Sequence, residues 1–225
     1  MTATYEWKMK LPVYAEVDIA VAGGGPAGVG AALAAARNGA SVLLIEQRGF
    51  LGGMATAALV PAYTPYSDME KPVIRGIGFE ILQELKNRMQ PGLKERYREI
   101  IDWVPIEAES LKRVLDEKMA EAGVRLLFHT FVGGVIPGPA SEGDRAIEAL
   151  VIHNKSGSQA VKAKWFVDAT SDADLVWHAG GQFHKGSGDG ELQPATMCFV
   201  LGRLNRSRFE AFAAEFAGLR RWAAE

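Results

Sequence analysis

Apolar positions along the chain change period several times, and each change marks an element. Val17 to Ala22 is a nearly continuous apolar run, the pattern of a strand buried on both faces of a parallel sheet. Gly23 to Pro26 breaks it as a turn. Ala27 to Asn38 then reads as a helix stopped by Gly39, and Ser41 to Ile45 as the next strand. Together they predict a right-handed βαβ crossover. Residues 1 to 16 read as an extended leader, and residues 57 to 73 as irregular and rich in Pro and Tyr.

Further on, Ile74, Ile77, Ile81, Leu82, Leu85 and Met89 recur at three and four residues. They predict a helix over Ile74 to Met89 that Pro91-Gly92 ends. Glu107 to Ala122 reads as another helix, buried through Leu111, Val114, Leu115 and Met119, with Gly123 as its stop. Val124 to Phe128 is a strand. Val132 to Ile136, Ile147 to His153 and Gln159 to Ala163 read as three antiparallel strands, the last two joined by a tight turn at Asn154-Lys155-Ser156-Gly157. Trp165 to Ala169 reads as a separate strand returning to the main sheet. The expected fold class is α/β: a Rossmann-like dinucleotide-binding domain, a parallel sheet with an inserted antiparallel β-meander. The expected division is a first domain over 1–190 and the start of a second over 191–225. Within the latter, Arg203 to Glu225 reads as a charged helix with Phe209, Phe212 and Phe216 at helical spacing.

Bulk properties narrow the function classes. A length of 225 residues suits one large domain or one domain plus part of another. A net charge of −2 gives no reason to expect nucleic acid or an anionic membrane as partner. Residues 19 to 36 carry no charge, formally long enough to span a bilayer, but five glycines, Pro26 and the acidic Glu16 and Asp18 before them argue for a turn and a helix. Cys198 is the single cysteine, which excludes an intrachain disulfide and fits a cytoplasmic protein.

The chemistry concentrates at the first turn. Gly23, Gly25 and Gly28 have the G-x-G-x-x-G spacing. Here it sits in its required context, between a strand and a helix, with Glu46 at the end of the next strand. Gly23 permits the sharp exit from the strand. Gly25 lets a pyrophosphate approach the backbone, and Gly28 lets the helix pack on the sheet. The helix N-terminus offers unpaired N–H groups and about +0.5 elementary charge to phosphates. Glu46 suits ribose hydroxyls and would repel a 2′-phosphate, which argues against NADP. Gly52-Gly53 supplies a second glycine pair.

With GGGPAG, LLIEQRG and LGGMAT in one line, the chain resembles the FAD-dependent oxidoreductases of the glutathione reductase-like flavoprotein superfamily, in the subgroup related to fumarate reductase flavoproteins. VIRGIGFEIL, the stretch 104 to 136, WFVDATSDADL and LQPATMCF are also similar to that subgroup, so the resemblance spans about residues 14 to 202. It implies FAD as cofactor and flavin-mediated hydride or electron transfer with a small-molecule substrate. By position it implies that Gly23, Gly25, Pro26, Ala27 and Gly28 line the pyrophosphate. Glu46 would hold the adenosine ribose with Gln47 and Arg48 beside it. Gly52, Gly53 and Met54 would run toward the flavin, and Val132 would hold adenine through its backbone. Asp168, Ala169, Thr170 and Asp172 match a second flavin-binding stretch, in which Ser171 stands where the family has glycine. Members of the subgroup usually run to about twice this length, a property the resemblance supplies. The chain therefore reads as an N-terminal portion: a truncated gene product, an engineered fragment or one half of a split enzyme. A homo-oligomer, or a partner supplying the C-terminal half, is the corresponding expectation.

No residue reads as a convincing catalytic acid or base. His129, His153 and His178 read as structural, and His184-Lys185 lies in a glycine-rich loop of functional potential. Cys198 reads as a buried, inert thiol, and Trp103, Trp165 and Trp177 as packing residues. The aromatic segment 63 to 66 either approaches the flavin or is an ordinary surface loop. No metal site is expected, since the four histidines are scattered. Two other functions fit the glycine pattern: an NAD-binding dehydrogenase domain, and a non-catalytic nucleotide-binding fragment that works by pairing with a partner.

Overall fold

The computed structural model describes residues 8–139, 146–188, 190–200, 202–203, 205, 207–212 and 214. Two units divide the chain, Met1–Ala195 and Thr196–Glu225. The first holds a six-stranded sheet built of β1 (Val13–Ala22), β2 (Val42–Ile45), β5 (Arg125–Leu127), β6 (Phe131–Pro137), β7 (Ile147–Asn154) and β8 (Gly157–Asp168), in the order β5-β2-β1-β8-β7-β6. The strands β5, β2, β1 and β8 are mutually parallel, whereas β7 runs antiparallel to both β8 and β6. A separate two-stranded ribbon joins β3 (Ala62–Tyr63) to β4 (Val104–Pro105).

The apolar pattern of the first crossover translates directly. All four residues of β2 are buried, as are Ala20, Val21 and Ala22 at the end of β1. Helix α1 (Pro26–Arg37) opens on Pro26, whose fixed φ and missing N–H suit a first helical turn. The uncharged stretch 19 to 36 is split between β1 and α1. Among the described residues no helix is long and apolar enough to cross a membrane. The leader is shorter than the sequence suggests, because Val13 already pairs with Ala160 and β1 begins there. Residues 1 to 7 of the leader lie outside the described residues.

The largest departure from expectation is β8. It is one twelve-residue strand, not a meander strand followed by a separate return strand. Lys162 and Lys164 interrupt the apolar pattern and suggest a break. In the structure the backbone continues through them, while Lys164 pairs with Asp18 at 2.6 Å and Lys162 lies 3.6 Å from Glu148. One edge of β8 bonds β7 and the other bonds β1, so the meander extends the main sheet. The expected turn at Asn154 to Gly157 is present, with Ser156 N–H donating to Asn154 Oδ1 at 2.9 Å.

Helices α3 (Ile77–Arg88) and α5 (Ala108–Glu121) pack with α1 over one face of the sheet, around Val21, Leu33, Leu44, Leu85, Leu111 and Met119. Glu107 caps α5 by accepting from the backbone N–H groups of Glu109 and Ser110 at 3.1 and 2.6 Å. The other face is covered through Leu150 and Ile152 of β7 and Leu175 of α6 (Asp174–His178). Helix α3 starts later than the periodicity suggests, because Val73 and Ile74 N–H both donate to Tyr66 O and hold a turn there. Pro91 does not simply end α3. It occupies the first turn of a further short helix, α4 (Pro91–Arg96). A one-turn helix, α2 (Met54–Ala57), follows the second glycine pair.

Two expectations about packing fail. Trp103, Trp165 and Trp177 are 71%, 72% and 64% exposed, so they are surface residues. Aromatic character marks an apolar face without saying whether this chain covers it. Cys198 is only partly buried, and its neighbours Met197, Phe199 and Val200 are exposed. In the second unit residues 207–212 are helical with Phe209 and Phe212 exposed, and Phe216 lies outside the described residues.

Glu80 ties the helical layer together. It accepts from both terminal guanidinium nitrogens of Arg37, Nη1 and Nη2, at 2.8 and 2.9 Å and from the Lys118 ammonium at 2.8 Å, joining α3 to α1 and α5. Arg37 first, then Lys118, holds the Glu80 carboxyl down to about 2 from 4.5. A depressed carboxyl stabilises the fold above its unfolded value, and that contribution is lost as pH falls toward 2. The side chain is more than a third exposed, so solvent screens the effect. Urea denaturation at about pH 5 and about pH 2.5 should show a smaller acid-induced loss for Glu80→Gln than for the wild type. Equal losses would remove this network from the acid response.

Candidate functional site

Strands β1 and β8 are adjacent and parallel, yet the chain leaves β1 through α1 toward β2 on the other side. This reversal is a switch point of the kind where open α/β sheets bind ligands. A cleft of about 420 Å³ opens at the carboxyl ends of β1, β2 and β8.

Its floor is the first turn. Gly23 has φ +100°, and a Cβ there would lie 2.3 Å from Ala169 O. No side chain fits that position. Gly23 N–H donates to Ile45 O at 2.8 Å, and Ala169 N–H donates to Ala22 O at 2.9 Å, so all three strand ends are fastened together. Gly28 presses the helix onto this turn: a Cβ on it would meet Gly23 O at 1.8 Å. Gly25 is different. Its φ of −72° and ψ of −177° suit any residue, and the nearest atom to a Cβ there is Gly53 Cα at 3.9 Å. Nothing in the protein itself requires glycine at 25, and the space a side chain would take lies on the cleft wall.

Glu46 forms the second wall and is 7% exposed. Its Oε2 accepts from Gly24 N–H at 2.7 Å and its Oε1 from Arg48 N–H at 2.8 Å. Each oxygen keeps a further lone pair for a ligand hydroxyl. The Glu46 backbone donates to Leu127 O at 2.9 Å and accepts from Thr130 N–H at 3.1 Å, which brings the start of β6 to the cleft. The buried Thr130 donates through its hydroxyl to Phe128 O at 2.9 Å and accepts from Asn154 Nδ2 at 3.2 Å.

The second glycine pair packs on the first. Gly52 N–H donates to Gly24 O at 2.9 Å, and a Cβ on Gly53 would come within 3.1 Å of Gly25 Cα. Helix α2 begins there with Met54 exposed at the cleft. The remaining wall follows β8. Asp168 Oδ1 accepts from the Thr170 hydroxyl at 2.7 Å and Oδ2 from Val176 N–H at 3.1 Å, so this carboxylate shapes the turn into α6. Ser171 and Ala173 have φ of +74° and +59°, a backbone that favours glycine. Serine therefore stands at a position whose conformation suits the glycine of the related pattern.

Of the residues singled out from sequence, Gly23, Gly25, Pro26, Glu46, Gln47, Arg48, Gly53, Met54, Val132, Ala169, Thr170 and Asp172 line the cleft. Ala27, Gly28 and Gly52 are not part of its lining, and Gly28 and Gly52 serve packing behind it. The sequence reading passed over Gly24, where a Cβ would meet Leu51 Cδ2 at 2.6 Å and Glu46 Oε2 at 3.0 Å. The run of three glycines was its visible trace. It also missed Thr130, for which no motif exists. Tyr63 lines the cleft and Tyr66 is buried, so the 63–66 segment is no ordinary surface loop. Burial pushes the Tyr63 phenol up to about 12, with a smaller contribution from Tyr66, so it stays protonated.

The histidines do not line the cleft. His153 Nδ1 lies 2.7 Å from Ser158 Oγ, and its ring fills the space a Cβ on Gly133 would need. The His129 ring does the same over Gly49. His178 and His184 are exposed. Among the described residues no group of three His, Cys, Asp or Glu side chains could hold a metal ion.

A family model described as FAD dependent oxidoreductase matches residues 18–223, and the chain belongs to that family. FAD is accordingly its cofactor. The chain is also similar to the crystal structure of THI4 from Thermovibrio ammonificans, at 25% identity and a TM-score of 0.51, over 72% of this chain and 61% of that one. A geranylgeranyl bacteriochlorophyll reductase-like protein from Thermoplasma acidophilum is similar at 19% identity and a TM-score of 0.48, over 73% of this chain and 42% of that one. The chain thus spans less than two thirds of the length of either. No curated protein sequence matches it.

The conformation at 171 yields a test. Glycine there should relieve about 1–2 kcal/mol of left-handed strain and cost about 0.4–1 kcal/mol through a more flexible unfolded chain. Ser171→Gly should therefore raise unfolding stability by about 0.5–1 kcal/mol in urea melts. A loss of stability would mean that the serine hydroxyl contributes more than its backbone costs.

Proposed function

We propose that the cleft binds FAD, and that the chain serves a flavin-dependent oxidoreductase acting on a small molecule. The observation that supports this most is Gly25, a glycine that neither the backbone conformation nor the packing of the protein demands. Its missing side chain leaves room for a ligand at the N-terminus of α1, where unpaired N–H groups and the helix dipole favour phosphate. Pro26 opens α1 beside that space, and Gly23 holds the turn in place.

In this reading Glu46 receives ribose hydroxyls on the lone pairs that Gly24 and Arg48 leave free. Gln47, Arg48 and the Val132 backbone flank the adenosine end. Gly53 and Met54 lead toward the flavin, with Ala169, Thr170 and Asp172 on the opposite wall. The flavin supplies hydride or electron transfer, and the protein supplies binding, orientation and electrostatics. Tyr63 stays protonated at the edge of the cleft and so can donate a hydrogen bond there. The pairing of Glu46 with a glycine turn would also suit NAD. The second glycine pair packed against the first supports the longer cofactor.

Gly25→Ala separates ligand binding from folding. Its stability should stay within about 1 kcal/mol of the wild type, since the new methyl meets only ordinary contacts. FAD affinity, followed by flavin fluorescence quenching, should fall at least about ten-fold, the equivalent of some 1.4 kcal/mol. Unchanged FAD affinity in this variant would remove the pyrophosphate from Gly25.

A further inference from the structure

A second cavity, of about 160 Å³, lies on the helical side of the cleft and shares two residues with it, Pro26 and Tyr63. Val29, Ile77, Ile81 and Leu115 supply its aliphatic side chains, from α1, α3 and α5. The other wall is the 63–66 segment, held in place by Asp102. That carboxylate accepts from the backbone N–H groups of Tyr66 and Ser67 and from the Ser67 hydroxyl. The Tyr66 hydroxyl donates to Gly78 O at 3.3 Å. Among the described residues the Tyr63 hydroxyl has no hydrogen-bond partner. Tyr63 lines both the cavity and the cleft, which puts an unengaged phenol at their border.

An engineered apolar cavity of about 150 Å³ accepts benzene, which sets the size of group that this one can take. Ligand sites in general combine an apolar wall with a few placed polar groups. We propose that this cavity is a subsite for a six-membered ring or an equally small alkyl group of the substrate, with the Tyr63 hydroxyl bonding an oxygen on that group at the border with the cleft. The inference rests on the reading that the neighbouring cleft holds FAD. It adds a substrate class: compact, apolar at one end, and bearing a hydrogen-bonding oxygen close to the ring. Burial supports the donor role, since Tyr63 remains protonated through the neutral range.

Two glycines allow the cavity to be filled. Gly30 lines it, and a Cβ there meets no atom within 4 Å. Gly78 also lines it, with Ile74 Cγ2 at 3.4 Å from such a Cβ. Both sit within helices, where replacing glycine favours the helix. Toluene and phenol serve as probes of the purified chain loaded with FAD, with binding read by ligand-observed NMR and flavin absorbance read in the same samples. Saturable binding of both probes is expected, lost in Gly30→Leu and in Gly78→Leu. Tyr63→Phe should keep toluene affinity and weaken phenol by roughly 3- to 10-fold, the value of one hydrogen bond. Thermal melts identify a variant that fails to fold, and the other glycine variant then decides. Absent toluene binding in a chain that holds FAD, or toluene binding that survives both leucine variants, would overturn the subsite and leave the cofactor reading intact. Probe binding in a chain that cannot take up FAD would overturn the cofactor reading and leave the cavity standing.

Discussion

Everything at this site depends on one close approach, the contact of the Gly23 backbone with Gly28 on one side and Ala169 on the other. A methyl group at 28 would lie 1.8 Å from Gly23 O, and one at 23 would lie 2.3 Å from Ala169 O. Protein interiors are packed too densely to absorb such overlaps. The absence of two side chains therefore lets α1 start against the sheet where β1 and β8 end side by side. Without that contact the helix N-terminus would not face the crevice, and its unpaired N–H groups would not converge on one place.

Glu46 uses that arrangement and reinforces it. Its two carboxylate oxygens hold the Gly24 and Arg48 N–H groups, while its backbone binds the segments before and after His129. A buried carboxylate is costly unless hydrogen-bonded, and here two backbone donors meet the requirement without using its full accepting capacity. The same residue thus fixes the floor of the cleft and presents its remaining lone pairs to whatever enters.

The first crossover was legible because three independent patterns coincide there. The apolar run of β1, the glycine spacing and the acid at the end of β2 each point to the same turn. The buried face of α5 was legible for a similar reason, a clean helical period closed by Glu107 and Gly123. Continuity of β8 was not, because Lys162 and Lys164 look like a break until their side chains are seen to leave the sheet for Glu148 and Asp18. Pro91 was read as a stop, although proline suits the start of a helix equally well. Trp103, Trp165 and Trp177 were read as packing residues, yet they are exposed, because a pattern of residues does not say what lies opposite them. Thr130 belongs to the site through tertiary placement alone, so no local pattern announced it, and the aromatic run at 63–66 left two readings open until Tyr63 was seen at the cleft and Tyr66 buried.

The central claim is that this glycine turn, with Glu46 beside it, is built to hold FAD. The most direct measurement is the visible absorption spectrum of the purified chain before and after FAD is added and free cofactor is removed by gel filtration. The account predicts flavin bands that travel with the protein. A chain that elutes folded but colourless after incubation with FAD would contradict it.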